Sequence, residues 1–155
     1  MLMRGNGKGD FVSISGQNSG LIIYGEQRGS AVADYDHDGR PDLVVTQNGS
    51  FTHLYRNALA RPGLRVKVNA GPANPTGVGA IVRLKFAEGK RGPARLITAG
   101  SGYWSQDSAV QVLATPAPPT HVETSWPNGE TTSTAIPLGA KEIAIGRDGK
   151  LIPAK

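Results

Sequence analysis

The chain has 155 residues, 17 Lys and Arg against 12 Asp and Glu, a net charge of +5 and no cysteine. That length allows one ordinary domain or two small ones, and the moderate charge argues for a folded chain over a disordered one. A disulfide framework is excluded, disulfides give no reading of the redox compartment, and no apolar run approaches the length of a membrane span.

In chain order, Met1 to Asp10 lacks the apolar core of a signal peptide, which implies a cytoplasmic chain or a piece of something longer. Short strands are expected at Phe11–Ile14 and Leu21–Tyr24, then at Ala31–Ala33 and Leu43–Thr46 on either side of an acidic loop, then at Phe51–Tyr55. Turns rich in Gly and Asn separate them, and Asn48-Gly49 is a hairpin signal. The segment Arg56–Gly63 breaks the pattern and sets a domain boundary. Beyond it strands are expected at Leu64–Val68, Ala80–Phe86, Ala94–Thr98, Val110–Leu113, His121–Trp126 and Lys141–Ile145. A Pro-rich stretch follows Val110–Leu113, and Pro127-Asn-Gly129 turns the chain after Trp126. Strands spaced roughly ten residues apart with turn residues between them define an all-β fold of sandwich or barrel type, with no helix.

The most specific chemistry lies in Asp34-Tyr-Asp36-His-Asp38-Gly39-Arg40-Pro-Asp42. Four carboxylates at positions one, three, five and nine repel one another unless a cation sits among them, and a Gly at position six lets the chain turn around that cation. The pattern departs from an EF-hand, because position twelve is Val45 and the flanks suit strands. The expected ligands are the carboxylates of Asp34, Asp36, Asp38 and Asp42 and the backbone carbonyl of Arg40, with Ca2+ as the ion. The competing reading is a solvated acidic hairpin turn; four Asp with the Gly correctly placed favour the cation. Sites of this kind in extracellular modules fill at millimolar calcium, which points to an exported protein.

The net positive charge is uneven. Residues 1–57 hold five basic and six acidic side chains, and the remainder holds twelve and six. Arg65, Lys67, Arg83 and Lys85 alternate with apolar residues and are expected on the solvent face of half-buried strands. No nucleic-acid reader motif accompanies them, so nucleic acid is not an expected partner. His37, His53 and His121 do not stand at metal-ligand spacing, and His37 falls at a non-ligand position of the Asp loop, directed to solvent. Tyr103 and Trp104, set among Ser and Gly, are a candidate sugar-binding surface. Packing of both rings into the fold, with their polar edges on a backbone partner, is the favoured reading. There is no nucleophile elbow, phosphate loop or glycosidase-type acid pair, and no enzyme is expected.

Two stretches resemble known families. Residues 4–57, through Asn6-Gly-Lys-Gly-Asp-Phe11, Arg28–Asp34, the Asp loop and Leu54-Tyr-Arg-Asn57, resemble the FG-GAP or VCBS repeat, a β-propeller blade whose calcium ligands fall on Asp34, Asp36, Asp38, Arg40 and Asp42. Residues 63–130, through Gly77–Val82, Ala99-Gly-Ser-Gly-Tyr-Trp-Ser-Gln106 and Trp126-Pro-Asn-Gly129, look like the ASPIC/UnbV domain, which follows propeller repeats in exported bacterial proteins and in the cartilage acidic proteins. Leu113-Ala-Thr115 replaces the Gly-Leu-Gly step of that family.

The resemblance implies one propeller-type repeat over 1–57 and a small β-sandwich or barrel-like domain over 63–155. The protein would then be a calcium-binding, non-enzymatic interaction or adhesion module with a protein or glycan partner, extracellular or in the cell envelope. The alternatives are a glycan-binding module and an accessory domain of a larger enzyme complex. A single blade leaves two unpaired edges, so the chain is expected to be the C-terminal part or a fragment of a larger protein.

Overall fold

The structure is a computed structural model that describes residues 2–153. Met1, Ala154 and Lys155, the outer ends of the two expected domains, lie outside the described residues. The fold is all-β. Its strands are β1 (Leu2–Gly5), β2 (Phe11–Ile14), β3 (Gln27–Ala33), β4 (Asp42–Gln47), β5 (His53–Tyr55), β6 (Leu64–Asn69) and β7 (Ile81–Phe86). They continue as β8 (Arg95–Leu96), β9 (Gln111–Leu113), β10 (Pro119–Ser125), β11 (Thr131–Ala135), β12 (Glu142–Gly146) and β13 (Leu151–Ile152).

The second half is a two-layer sandwich. One sheet runs β11-β10-β7-β8 and the other β13-β12-β6-β9, and neither closes on itself. Period-two alternation builds the space between them. Leu64, Val66 and Val68 of β6, with Ile143 and Ile145 of β12, meet Val82 and Leu84 of β7 and Val122 of β10 in one buried cluster. Burying each such side chain contributes on the order of 1.5–3 kcal/mol before entropy is counted. Trp126 closes one end of the core, and its indole N–H donates to Thr132 Oγ1 at 3.0 Å. Strands β6 and β12 pair in parallel, unlike their neighbours.

The first half is lighter. Strands β3, β4 and β5 form an antiparallel sheet in that order, with Ala33 opposite Asp42 and Val45 opposite His53. The Asn48-Gly49 signal therefore lies in a hairpin connection, as expected. A separate hairpin pairs β1 with β2, closed by the Asn6 side chain, which accepts from the backbone N–H of Lys8 and of Asp10.

Four local expectations fail. Leu21–Tyr24 is irregular backbone, because an apolar run forms a strand only where a neighbouring edge accepts its hydrogen bonds. Gly16–Ser19 is one helical turn where no helix was expected; Ser15 caps it, its Oγ accepting from Asn18 N. Strands β11 and β13 and the first strand β1 carry no apolar alternation that would announce them. The expected Ala94–Thr98 strand contracts to the two residues of β8.

The two halves touch along β3, the Asp loop and the start of β6. Gly63 N donates to Gly39 O at 2.8 Å, and Ser108 N donates to Val32 O at 2.8 Å. Gly39 has φ +81°, and a Cβ there would stand 3.1 Å from the carbonyl of Gly63, so both turn and docking need glycine.

Candidate functional site

The Asp loop is the connection between β3 and β4, and the pairing of Ala33 with Asp42 brings its two ends together. Asp34 and Asp42, at those ends, are buried, with Asp34 7 % and Asp42 3 % exposed. Their carboxylates organise the turn. Asp34 accepts from the N–H groups of Asp38 and Gly39 at 3.0 and 2.9 Å. Asp42 accepts from Tyr35 N at 3.3 Å and from Asn57 N at 2.7 Å. Asp36 accepts from Asp38 N at 3.3 Å. Backbone N–H groups pointed at the carboxylates fix their orientation in the turn.

Three of the four predicted carboxylates converge. Oxygens of Asp34, Asp36 and Asp42 lie within 4.8 Å of one another. A calcium ion holds its oxygens at about 2.3–2.6 Å, so two ligands on opposite sides of it are at most about 5 Å apart. The spacing and the all-oxygen donor set fit that ion. Asp38 is directed elsewhere. Its Oδ2 accepts from Arg40 Nη1 at 2.7 Å and from Arg56 Nη2 at 3.1 Å. Partial burial opposes the Asp38 charge, and the hydrogen bonds from Arg40 outweigh it, holding the carboxyl below its ordinary value. Arg40 also donates from Nε to Ala60 O at 2.6 Å, which ties the loop to the segment leading into β6. His37 is exposed and has φ +62°, consistent with its non-ligand position.

Sequence reasoning missed the buried cation beside the loop. Arg65 was expected on a solvent face and is 5 % exposed. Leu64, Val66 and Val68 turn one side of β6 to the sandwich core, which sends Arg65 to the other side, and there the Asp loop covers it. Its Nη1 donates to the Asp34 carboxylate and, at 3.3 Å, to the Asp34 carbonyl; its Nε donates to Glu142 Oε2 at 2.6 Å. Lys67 shares Glu142. The hydrogen bond from Lys67 and then that from Arg65 hold the Glu142 carboxyl below its ordinary value. Three of the four Asp of the loop, Asp34, Asp36 and Asp38, are thus met by Arg40, Arg56 and Arg65, with Arg56 Nε on Asp36 Oδ2 at 2.6 Å. Nothing in the alternation of β6 distinguishes Arg65 from Lys67, which is exposed.

Tyr103 and Trp104 form the two-residue tip of a tight turn bridged by Gly102 and Ser105. The packing expected for them is overturned: Tyr103 is 65 % and Trp104 87 % exposed, with ring centroids 6.0 Å apart. Trp104 has φ +53°, an unfavourable conformation for a bulky residue. The turn is held through its backbone. The carbonyls of Tyr103 and Trp104 lie so close to Gly29 of β3 that a Cβ there would stand 3.1 and 3.2 Å from them.

A β-hairpin sheet carrying an Asp-rich connection is the form of a propeller-type repeat. Residues 28–57, which span β3, the loop, β4 and β5, match the FG-GAP repeat. No curated protein matches the chain. Among the described residues no helix is long and apolar enough to cross a membrane.

Proposed function

We propose that the chain is a calcium-stabilised, non-enzymatic interaction or adhesion module of an exported protein, with a propeller-type repeat over 1–57 joined to an ASPIC/UnbV-like domain over 63–155. The observation that carries this reading is the convergence of Asp34, Asp36 and Asp42 inside the segment that matches an FG-GAP repeat. Repeats of that family are typically extracellular interaction modules, a setting in which millimolar calcium is available. The ion would supply the positive charge that lets three carboxylates share one turn, and the Arg40 carbonyl would complete the loop's protein ligands. Its role would be to fix the β3–β4 connection and with it the face that the repeat offers a protein partner.

The test is a calcium titration by calorimetry on the full chain, with thermal melts in calcium and in chelator. One binding site, with a melting shift lost in Asp36→Ala, upholds the reading; no heat and no shift would reduce the loop to an acidic turn. A second reading, glycan binding at Tyr103 and Trp104, is favoured by the exposure of both rings on one turn. Its test is a glycan array, on which a signal unchanged by Trp104→Ala would remove it.

A further inference from the structure

Arg65 presents a contradiction in a loop read as a cation site. A guanidinium that is always charged reaches from β6 into the Asp cluster and donates to the carboxylate of Asp34, which is 1 % exposed at its side chain. Asp34 is also one of the three carboxylates that converge. The contact is not a surface ion pair that salt and motion would loosen. The Arg65 side chain is 6 % exposed and is braced on its far side by Glu142. Water cannot separate the pair without undocking the loop from β6, so the positive charge is a fixed part of the site's electrostatics.

We propose that Arg65 is an internal competitor for the metal, and that it sets the loop's calcium affinity by occupying Asp34 with a charge of its own. The proposal rests on the calcium reading of the same loop. A divalent ion among Asp34, Asp36 and Asp42 meets a guanidinium on one of its three carboxylates, in an environment of low dielectric where like charges repel strongly. Arg56, on Asp36, adds to the opposition from the exposed side, where solvent weakens it. Four carboxylates faced by three guanidinium groups leave little net charge for the ion, which places the site in the weak class suited to millimolar calcium. The coupling is reciprocal: an ion that draws Asp34 toward itself loosens Arg65 and with it the seam between the loop and β6.

The experiment is calorimetric titration of calcium chloride into the wild-type chain and into Arg65→Gln, Arg65→Met and Arg65→Lys. Glutamine keeps hydrogen-bond donors beside Asp34 and Glu142, so it guards against a fold lost through unsatisfied buried carboxylates. The expected result is binding about tenfold tighter or more in both neutral variants, and binding within about threefold of wild type in Arg65→Lys, which keeps the charge. Equal affinities in the wild type and the neutral variants overturn it and leave the calcium reading standing. Absence of binding in every chain overturns both. In the wild-type chain the Arg65 Nε–H resonance is expected to shift along the titration; a loop that fills while that resonance stays in place also overturns the proposal.

Discussion

The backbone N–H of Val32 donates to the Asp107 carboxylate at 2.8 Å across 75 residues of sequence, and Ser108 N returns a bond to Val32 O at 2.8 Å. This exchange closes the outer edge of β3 where it would otherwise present unpaired groups. Replacing Asp107 with Ala is expected to cost about 1 kcal/mol, since the bond is partly exposed and water can take its place. Denaturant unfolding measures it, and an unchanged midpoint would mean that β3 does not depend on this clasp.

At the Asp loop the calcium reading predicts unequal effects. Asp36→Ala should abolish the calcium-dependent rise in melting temperature. Asp38→Ala should leave a measurable rise, because Asp38 spends its carboxylate on Arg40 and Arg56. His37→Asn should match the wild type, since Asn tolerates a positive φ and His37 points away from the loop interior. Melts of the three variants in calcium and in chelator rank them, and equal loss in Asp36→Ala and His37→Asn would contradict the assignment.

Trp104 should be dispensable to stability. Its ring is 87 % exposed and its backbone sits at φ +53°. Trp104→Gly is expected to leave stability unchanged or to raise it by up to about 1 kcal/mol, because relief of the left-handed strain outweighs the extra freedom of the unfolded chain. A large drop in melting temperature would show that the ring is covered in solution.

Core truncation has the opposite sign. Leu84 is 2 % exposed between the two sheets, and Leu84→Ala should destabilise by about 2–5 kcal/mol, read from urea unfolding. A loss under 1 kcal/mol would mean that the sandwich collapses around the gap.

Acid should weaken the fold through carboxyls held below their ordinary value, Glu123 and Glu142 among them. A hydrogen bond from Lys85, with Arg91 close by, holds Glu123 below its ordinary value; Lys67 and Arg65 do the same for Glu142. In the unfolded chain both groups take up protons near 4.5, before they do so in the folded one. Their contribution is therefore complete above that pH and is lost as pH falls through the lowered folded values. Unfolding free energies across pH 3 to 6, about the ordinary carboxylate range, should rise with pH and then level, and Glu142→Gln should flatten part of the rise.

The parts of the fold legible in the sequence are those with strict alternation. Strands β6, β7, β10 and β12 turn every second residue toward the core, and that period gave both the elements and the core. Strand β11, written Thr-Thr-Ser-Thr-Ala, shows no such contrast, because its inward positions are filled by threonine. The Asp loop was legible because charge repulsion restricts where four carboxylates can share a turn. Arg65 was not, because alternation says only which residues leave one face of a strand. Whether another segment then covers that opposite face is decided by contacts 31 and 77 residues distant, to Asp34 and Glu142. The Tyr103 and Trp104 turn misled for a related reason: aromatic residues usually report burial, and here the backbone carbonyls make the contact in their place.

The parallel pairing of β6 with β12 also has a temporal meaning. Glu142 stands opposite Arg65 and Ile145 opposite Val68, so the strand that opens the sandwich is completed by one synthesised almost eighty residues later. A nascent chain must hold β6 with one flank vacant until β12 emerges, and closing so long a loop is slow compared with forming the hairpins. The interval in which Val66 and Val68 lie uncovered beside an open strand edge is when this protein is most exposed to self-association. A ribosome paused before residue 142 would prolong that interval.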